Sequence, residues 1–93
     1  MIEAPRETIR VLHVDDDSAF RDLTMTCLER EREQFVVETA PSASEGLARL
    51  DGSDFDCVVS DYEMPGSDGI DFLERVREEY PSLPFILYTG KGS

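Results

Sequence analysis

Ninety-three residues allow a single domain, and a chain this short buries only about 60 to 65% of the surface its unfolded form exposes. Twenty-one acidic residues against nine basic ones give a formal charge of -12, which repels nucleic acid and anionic membrane surfaces. Lys91 is the single lysine beside eight arginines, and the balance as a whole fits a salt-rich cytoplasm, where screening to about 3 Å at 1 M makes such self-repulsion tolerable.

Residues 1–8 (MIEAPRET) are polar, contain a proline and are expected to form a loose lead-in to a domain spanning 9–93. Ile9 to Val14 is β-branched and apolar at nearly every position, as in a strand covered on both faces of a parallel sheet. Residues 18–32 then take up helical period. Phe20, Leu23, Cys27 and Leu28 form one stripe, Arg21, Asp22, Glu29, Arg30 and Arg32 the other, and Asp17 or Ser18 is the N-cap. Phe35 to Thr39 reads as a second strand. Ser42 and Glu45 have capping-box spacing for a helix through about Leu50, stopped by Asp51 and Gly52.

Phe55 to Ser60 is a third strand. Ser67 or Asp68 caps a helix with Ile70, Leu73, Val76 and Tyr80 on its inner face, and Pro81 ends it. Leu83 to Tyr88 is the fourth strand. Cys27 and Cys57 lie inside apolar patterns, away from any C-x-x-C spacing, and are expected to be buried reduced thiols. No charged segment followed by an apolar one opens the chain, and no apolar stretch approaches the roughly 20 residues that span a bilayer, so a soluble cytoplasmic segment is expected.

The order β-α-β-α-β-α-β, with connections long enough for right-handed crossovers, predicts an α/β fold with a doubly wound parallel sheet. Such sheets bind ligands at the carboxyl ends of their strands. Three of the four runs end there on acids or a hydroxyl: Asp15 and Asp16 after the first, Asp61 after the third and Thr89 after the fourth. One aspartate suffices to cap a helix, and Asp17 takes that part. The remaining carboxylates crowd and repel one another, and a divalent cation such as Mg2+, which takes one or two protein carboxylates and keeps several waters, resolves the conflict. A carboxylate beside such a cation can attack a phosphoryl group. Asp61 is the best placed to react, because a loop with Pro65, Gly66 and Gly69 follows it rather than a helix, while Thr89 can donate to the phosphoryl oxygens.

At these residues the chain resembles the receiver domain of response regulators, the CheY-like, flavodoxin-like domain of two-component phosphorelays. VLHVDDDSAFR, VVSDYEMPGSDG and LPFILYTG are similar to the family's first strand with its acidic pair, its phosphorylated aspartate with the Met-Pro and Asp-Gly that follow, and its fourth strand with the switch hydroxyl. The resemblance runs from Ile9 to Lys91 and implies a strand order of 2-1-3-4. It implies that Asp61 accepts the phosphoryl group from a histidine kinase or phosphotransfer domain and that Asp16 and Asp61 bind Mg2+ directly. The main-chain carbonyl of Glu63 would complete the protein ligands, and Asp15 would act mostly through water. Thr89 would be the hydroxyl that swings toward the phosphoryl group, changing affinity for an output or sensor module. The domain would catalyse only its own phosphorylation and dephosphorylation.

The chain departs from the family pattern in three respects. Glu63, two residues after the acceptor, is expected to slow hydrolysis. A fourth helix, a fifth strand with its lysine and a fifth helix are missing; Lys91 on the tail is a poor substitute for that lysine, and the open edge at 83–88 is expected to invite self-association. The YTGKGS ending resembles receivers that open larger haloarchaeal-type sensor proteins, and on that analogy the chain is expected to be an N-terminal piece. Two other readings compete, a receiver-like interaction module that is never phosphorylated and a haloacid-dehalogenase-type phosphatase. The phosphatase would use the acid pair Asp15 and Asp17, and fails at Ala19, where Thr or Val is needed. TGKGS fails as a Walker phosphate loop at Gly92, and an EF-hand fails at Phe20, where glycine is needed.

Overall fold

The computed structural model describes residues 8–31, 34–64 and 68–88, in which four parallel strands hydrogen-bond into one sheet. These are β1 (Ile9–Val14), β2 (Phe35–Ala40), β3 (Cys57–Asp61) and β4 (Phe85–Tyr88), in the order β2-β1-β3-β4. The crossovers are α1 (Ser18–Glu31), α2 (Ala43–Gly52) and α3 (Gly69–Glu79). The order is the doubly wound one expected from the sequence. The chain leaves β1 for β2 on one side and returns for β3 on the other, so the crevice where ligands bind opens between the ends of β1 and β3.

Strand residues alternate between the two faces. Leu12, Val14 and Val58 point into the main core with Ala40, Ala43, Leu50, Met64, Phe72 and Val76, which places α2 and α3 on that face. His13 points the other way and meets Phe20 of α1, ring centroids 5.8 Å apart, so α1 covers the opposite face. The helix starts follow their caps. Asp17 Oδ1 accepts from the Ala19 and Phe20 N–H groups, Ser42 Oγ from Glu45 N–H and Asp68 Oδ1 from Asp71 N–H.

Several boundaries and faces differ from expectation. β2 and β3 each run one residue further, to Ala40 and Asp61, while β3 and β4 begin two residues later, at Cys57 and Phe85; α2 keeps Asp51 and Gly52 inside its last turn. In α3 Phe72 is fully buried whereas Ile70 is exposed. Phe72 takes the inner place because its ring packs edge-on against Phe85 of β4, centroids 5.4 Å apart, and stands close to Gly46 of α2.

The face assigned to α1 also needs correcting. None of its residues is fully buried, and Leu23 and Cys27 are exposed. The half-buried positions are Arg21, Thr24, Met25 and Leu28. Polar contacts from that stripe and beside it fix the rotation: Arg21 Nη1 donates to the Asp15 carbonyl at 2.7 Å, and the neighbouring Glu29 Oε2 accepts from Val37 N–H at 3.1 Å. Cys27 is therefore not a buried thiol, and Cys57 is only half-buried. Ile86 on β4 is 55% exposed.

Candidate functional site

Register alone brings the acids together. Val14 pairs with Ser60 and Asp61 with Tyr88, so the residues that follow β1 and close β3 stand side by side at the carboxyl edge. Asp15, Asp16 and Asp61 each offer a carboxylate oxygen within 4.8 Å of the others. Asp15 and Asp61 are buried and Asp16 is exposed, so the cluster has two walls and an open side.

Local backbone bonds hold each buried carboxylate in place. Asp15 Oδ1 accepts from Asp17 N–H at 2.8 Å, and Asp61 Oδ1 from Glu63 N–H at 3.2 Å. Asp15 N–H donates to the Ala40 carbonyl, extending the β1–β2 ladder past the last strand residue. All three carboxylates are hard oxygen donors, and the exposed side leaves room for the waters that Mg2+ retains, so the donor set fits that ion. Glu63 stands at the rim, exposed. Thr89, Lys91 and the loop at 65–67 lie outside the described residues.

Two residues at this edge were not singled out from the sequence. The Tyr88 hydroxyl donates to Asp15 Oδ2 at 2.5 Å, and His13 Nε2 lies 2.8 Å from the Tyr88 oxygen. Burial, reinforced by the hydrogen bond to Asp15, pushes the Tyr88 hydroxyl far above the usual phenol value, so it stays protonated and donates. Burial also lowers the His13 value, against the opposing pull of Asp15. With the phenol proton committed to a carboxylate, His13 must donate from Nε2. His13 Nδ1 has no hydrogen-bond partner among the described residues. Phe20 closes the group, its ring centroid 5.7 Å from Tyr88. A histidine two residues before Asp15, in the apolar end of the first strand, was the available signal.

Among the described residues no helix is long and apolar enough to cross a membrane.

Comparison with known proteins gives a consistent result. Residues 11–93 match the family described as the response regulator receiver domain. The transcriptional regulatory protein FixJ of Bradyrhizobium diazoefficiens is 39% identical over 79 residues, covering 85% of this chain and 38% of FixJ. The chain spans between a third and two-fifths of the length of FixJ and of ResD of Bacillus subtilis. A CheY-like receiver domain protein from Methanospirillum hungatei superposes with a TM-score of 0.84 at 36% identity, covering 94% of this chain and 68% of that one. The response regulator TrrA of Thermotoga maritima, solved with Mg2+ and BeF, gives 0.84 at 29% identity over 91% of this chain and 72% of that one. The complex of the histidine kinase ThkA with TrrA gives 0.83 at 29% over 92% and 72%.

Proposed function

The chain belongs to the response regulator receiver domain family, and from that premise we propose that Asp61 is its phosphoacceptor, in a pocket that Asp15 and Asp16 complete for Mg2+. The observation that carries the reading is the convergence of three carboxylates at the carboxyl edge of a parallel sheet, two of them buried. Acids that only capped α1 would have no reason to meet the end of β3.

The assigned roles follow from position. The Glu63 N–H holds Asp61 Oδ1, which orients the carboxylate for in-line attack. One Asp61 oxygen attacks phosphorus, the bond from phosphorus to the donor imidazole breaks with its electron pair going to nitrogen, and an aspartyl phosphate forms. A bound Mg2+ supplies neutralisation of the transferring oxygens. Asp16 and Asp61 would hold it directly with the Glu63 carbonyl, while Asp15, already engaged by Asp17 N–H and Tyr88, would act through water. Thr89 donates to the phosphoryl group and carries the end of β4 with it. The family reading removes the phosphatase alternative.

A histidine kinase or phosphotransfer domain is the donor in this reading, supported by the ThkA–TrrA complex, and an output or sensor module reads the result. The -12 charge supports a salt-rich cytoplasmic setting. Exposed Ile86 on β4 supports self-association along that strand, which sedimentation at rising concentration tests.

Intact mass after incubation with Mg2+ and acetyl phosphate in molar KCl, beside Asp61→Asn, tests the central assignment. Gain of one phosphoryl group in the parent alone is expected. No gain in a folded parent would support an interaction module that is never phosphorylated.

A further inference from the structure

The Tyr88 side chain crosses a strand. β1 and β4 are not neighbours, since β3 lies between them, yet the Tyr88 hydroxyl reaches Asp15 just past the end of β1 while its oxygen accepts from His13 within β1. β4 itself hydrogen-bonds only to β3 among the described strands. His13, Tyr88 and Asp15 thus brace the carboxyl end of β4 against β1, and the brace terminates on a carboxylate of the acidic pocket.

The same Asp15 charge would serve both the brace and the cation. A hydrogen bond from a neutral hydroxyl withdraws electron density from the carboxylate, and the water through which Asp15 would reach Mg2+ needs that density. We propose that Tyr88 is a positioning residue whose hydroxyl competes with a bound divalent cation for Asp15, so that filling the pocket loosens the brace between β1 and β4. Tyr88 directly precedes Thr89, and the loosening therefore acts on the strand end that carries the proposed switch hydroxyl. By linkage, whatever holds β4 away from β1 tightens the cation, and the cation releases β4 by the same factor. This inference rests on the reading of Asp15, Asp16 and Asp61 as a Mg2+ pocket.

Tyr88→Phe keeps the ring against His13 and Phe20 and removes only the hydroxyl. Magnesium titration of parent and variant, followed by calorimetry, should show the variant binding about three- to tenfold more tightly, part of a charge-assisted hydrogen bond no longer being given up on binding. Without cation the variant should melt below the parent, and saturating Mg2+ should narrow the gap. Equal or weaker affinity, or a gap that stays constant, makes Tyr88 a packing residue and overturns the proposal while leaving the pocket intact. No Mg2+ binding by the folded parent overturns both. A second measurement needs no variant: the NMR signals of the Tyr88 and His13 rings in the parent should shift together as Mg2+ saturates, and unmoved rings in a cation-bound parent would count against the brace being released.

Discussion

The Gly69 N–H donates to the Tyr62 carbonyl at 2.6 Å, which draws the first turn of α3 against the residue that follows Asp61. That approach leaves no space for a side chain. A Cβ at Gly69 would stand 2.6 Å from the Asp61 carbonyl oxygen and 2.5 Å from Leu87 Cδ2. Leu87 can turn aside, but the Asp61 backbone cannot move without moving the pocket. At Gly46 the nearest atoms, Phe72 Cζ at 2.9 Å and Val14 Cγ2 at 3.1 Å, belong to side chains.

Gly69→Ala is therefore expected to cost about 2 to 3 kcal/mol and to weaken Mg2+ binding, whereas Gly46→Ala, which overpacks the core against the buried Phe72 ring, should cost about 1 to 3 kcal/mol and spare cation binding. Urea denaturation and cation titration of the two variants decide the point. Equal loss of cation binding in the two variants, or unchanged cation binding in a folded Gly69→Ala, would contradict the link between α3 entry and the acids.

Phe72 is fully buried and meets Phe85 edge-on, centroids 5.4 Å apart, tying α3 to β4 across the main core. Truncation to alanine should cost about 3 to 5 kcal/mol. A chain of this size has about 5 to 14 kcal/mol in all, so Phe72→Ala should be marginal or unfolded at room temperature by circular dichroism, while Phe72→Leu stays folded. A Phe72→Ala domain with near-parental stability would show that this core does not depend on its largest member.

Cys27 is exposed on α1, whereas burial and the nearby Asp56 charge push the Cys57 thiol up. Alkylation of the native protein near neutral pH should modify Cys27 at least about tenfold faster than Cys57, with the difference vanishing in denaturant. Peptide mass mapping over time reads both sites in one sample. Faster modification of Cys57 would mean that the sheet face it lies on is open.

The Tyr80 hydroxyl at the end of α3 donates to Asp51 Oδ1 in the last turn of α2 at 2.7 Å. That bond, with burial and the Asp51 charge behind it, pushes the phenol up to about 12 from its usual 10. The contribution to stability is complete below pH 10 and is lost as pH rises from 10 toward 12, because only the protonated phenol donates. A tyrosinate absorbance titration should show this group moving back toward 10 in Asp51→Asn. An unchanged titration in that variant would assign the shift to something other than Asp51.

The readable and unreadable parts of this chain differ in how far apart the deciding residues lie. Strand order followed from β-branched runs spaced by amphipathic helices, and the acids were legible because each stands where a strand stops. The sheet-facing side of α1 was not, since residues 18–31 carry two stripes compatible with helical period, Phe20, Leu23 and Cys27 or Met25 and Leu28. Arg21 meeting the Asp15 carbonyl and Glu29 meeting Val37 N–H chose between them, and those partners become neighbours only after folding. The Tyr88 contact was hidden for a related reason. With strands spaced about 4.8 Å apart, β1 and β4 are roughly 10 Å from each other, a span that only a long side chain lying across β3 can bridge.

The three pocket carboxylates come from positions 15, 16 and 61, at the ends of strands that meet only in the finished sheet. An unfolded chain holds no such pocket, so a cation that binds there selects the folded population and raises its stability by RT ln(1 + [L]/Kd). In a domain with so little reserve, affinity and folding become one quantity measured two ways. Any substitution that lets part of the sample unfold will register as weaker Mg2+ binding even with the acids untouched, in proportion to the fraction that remains competent. The metal would then act as a ligand-dependent chaperone for its own site.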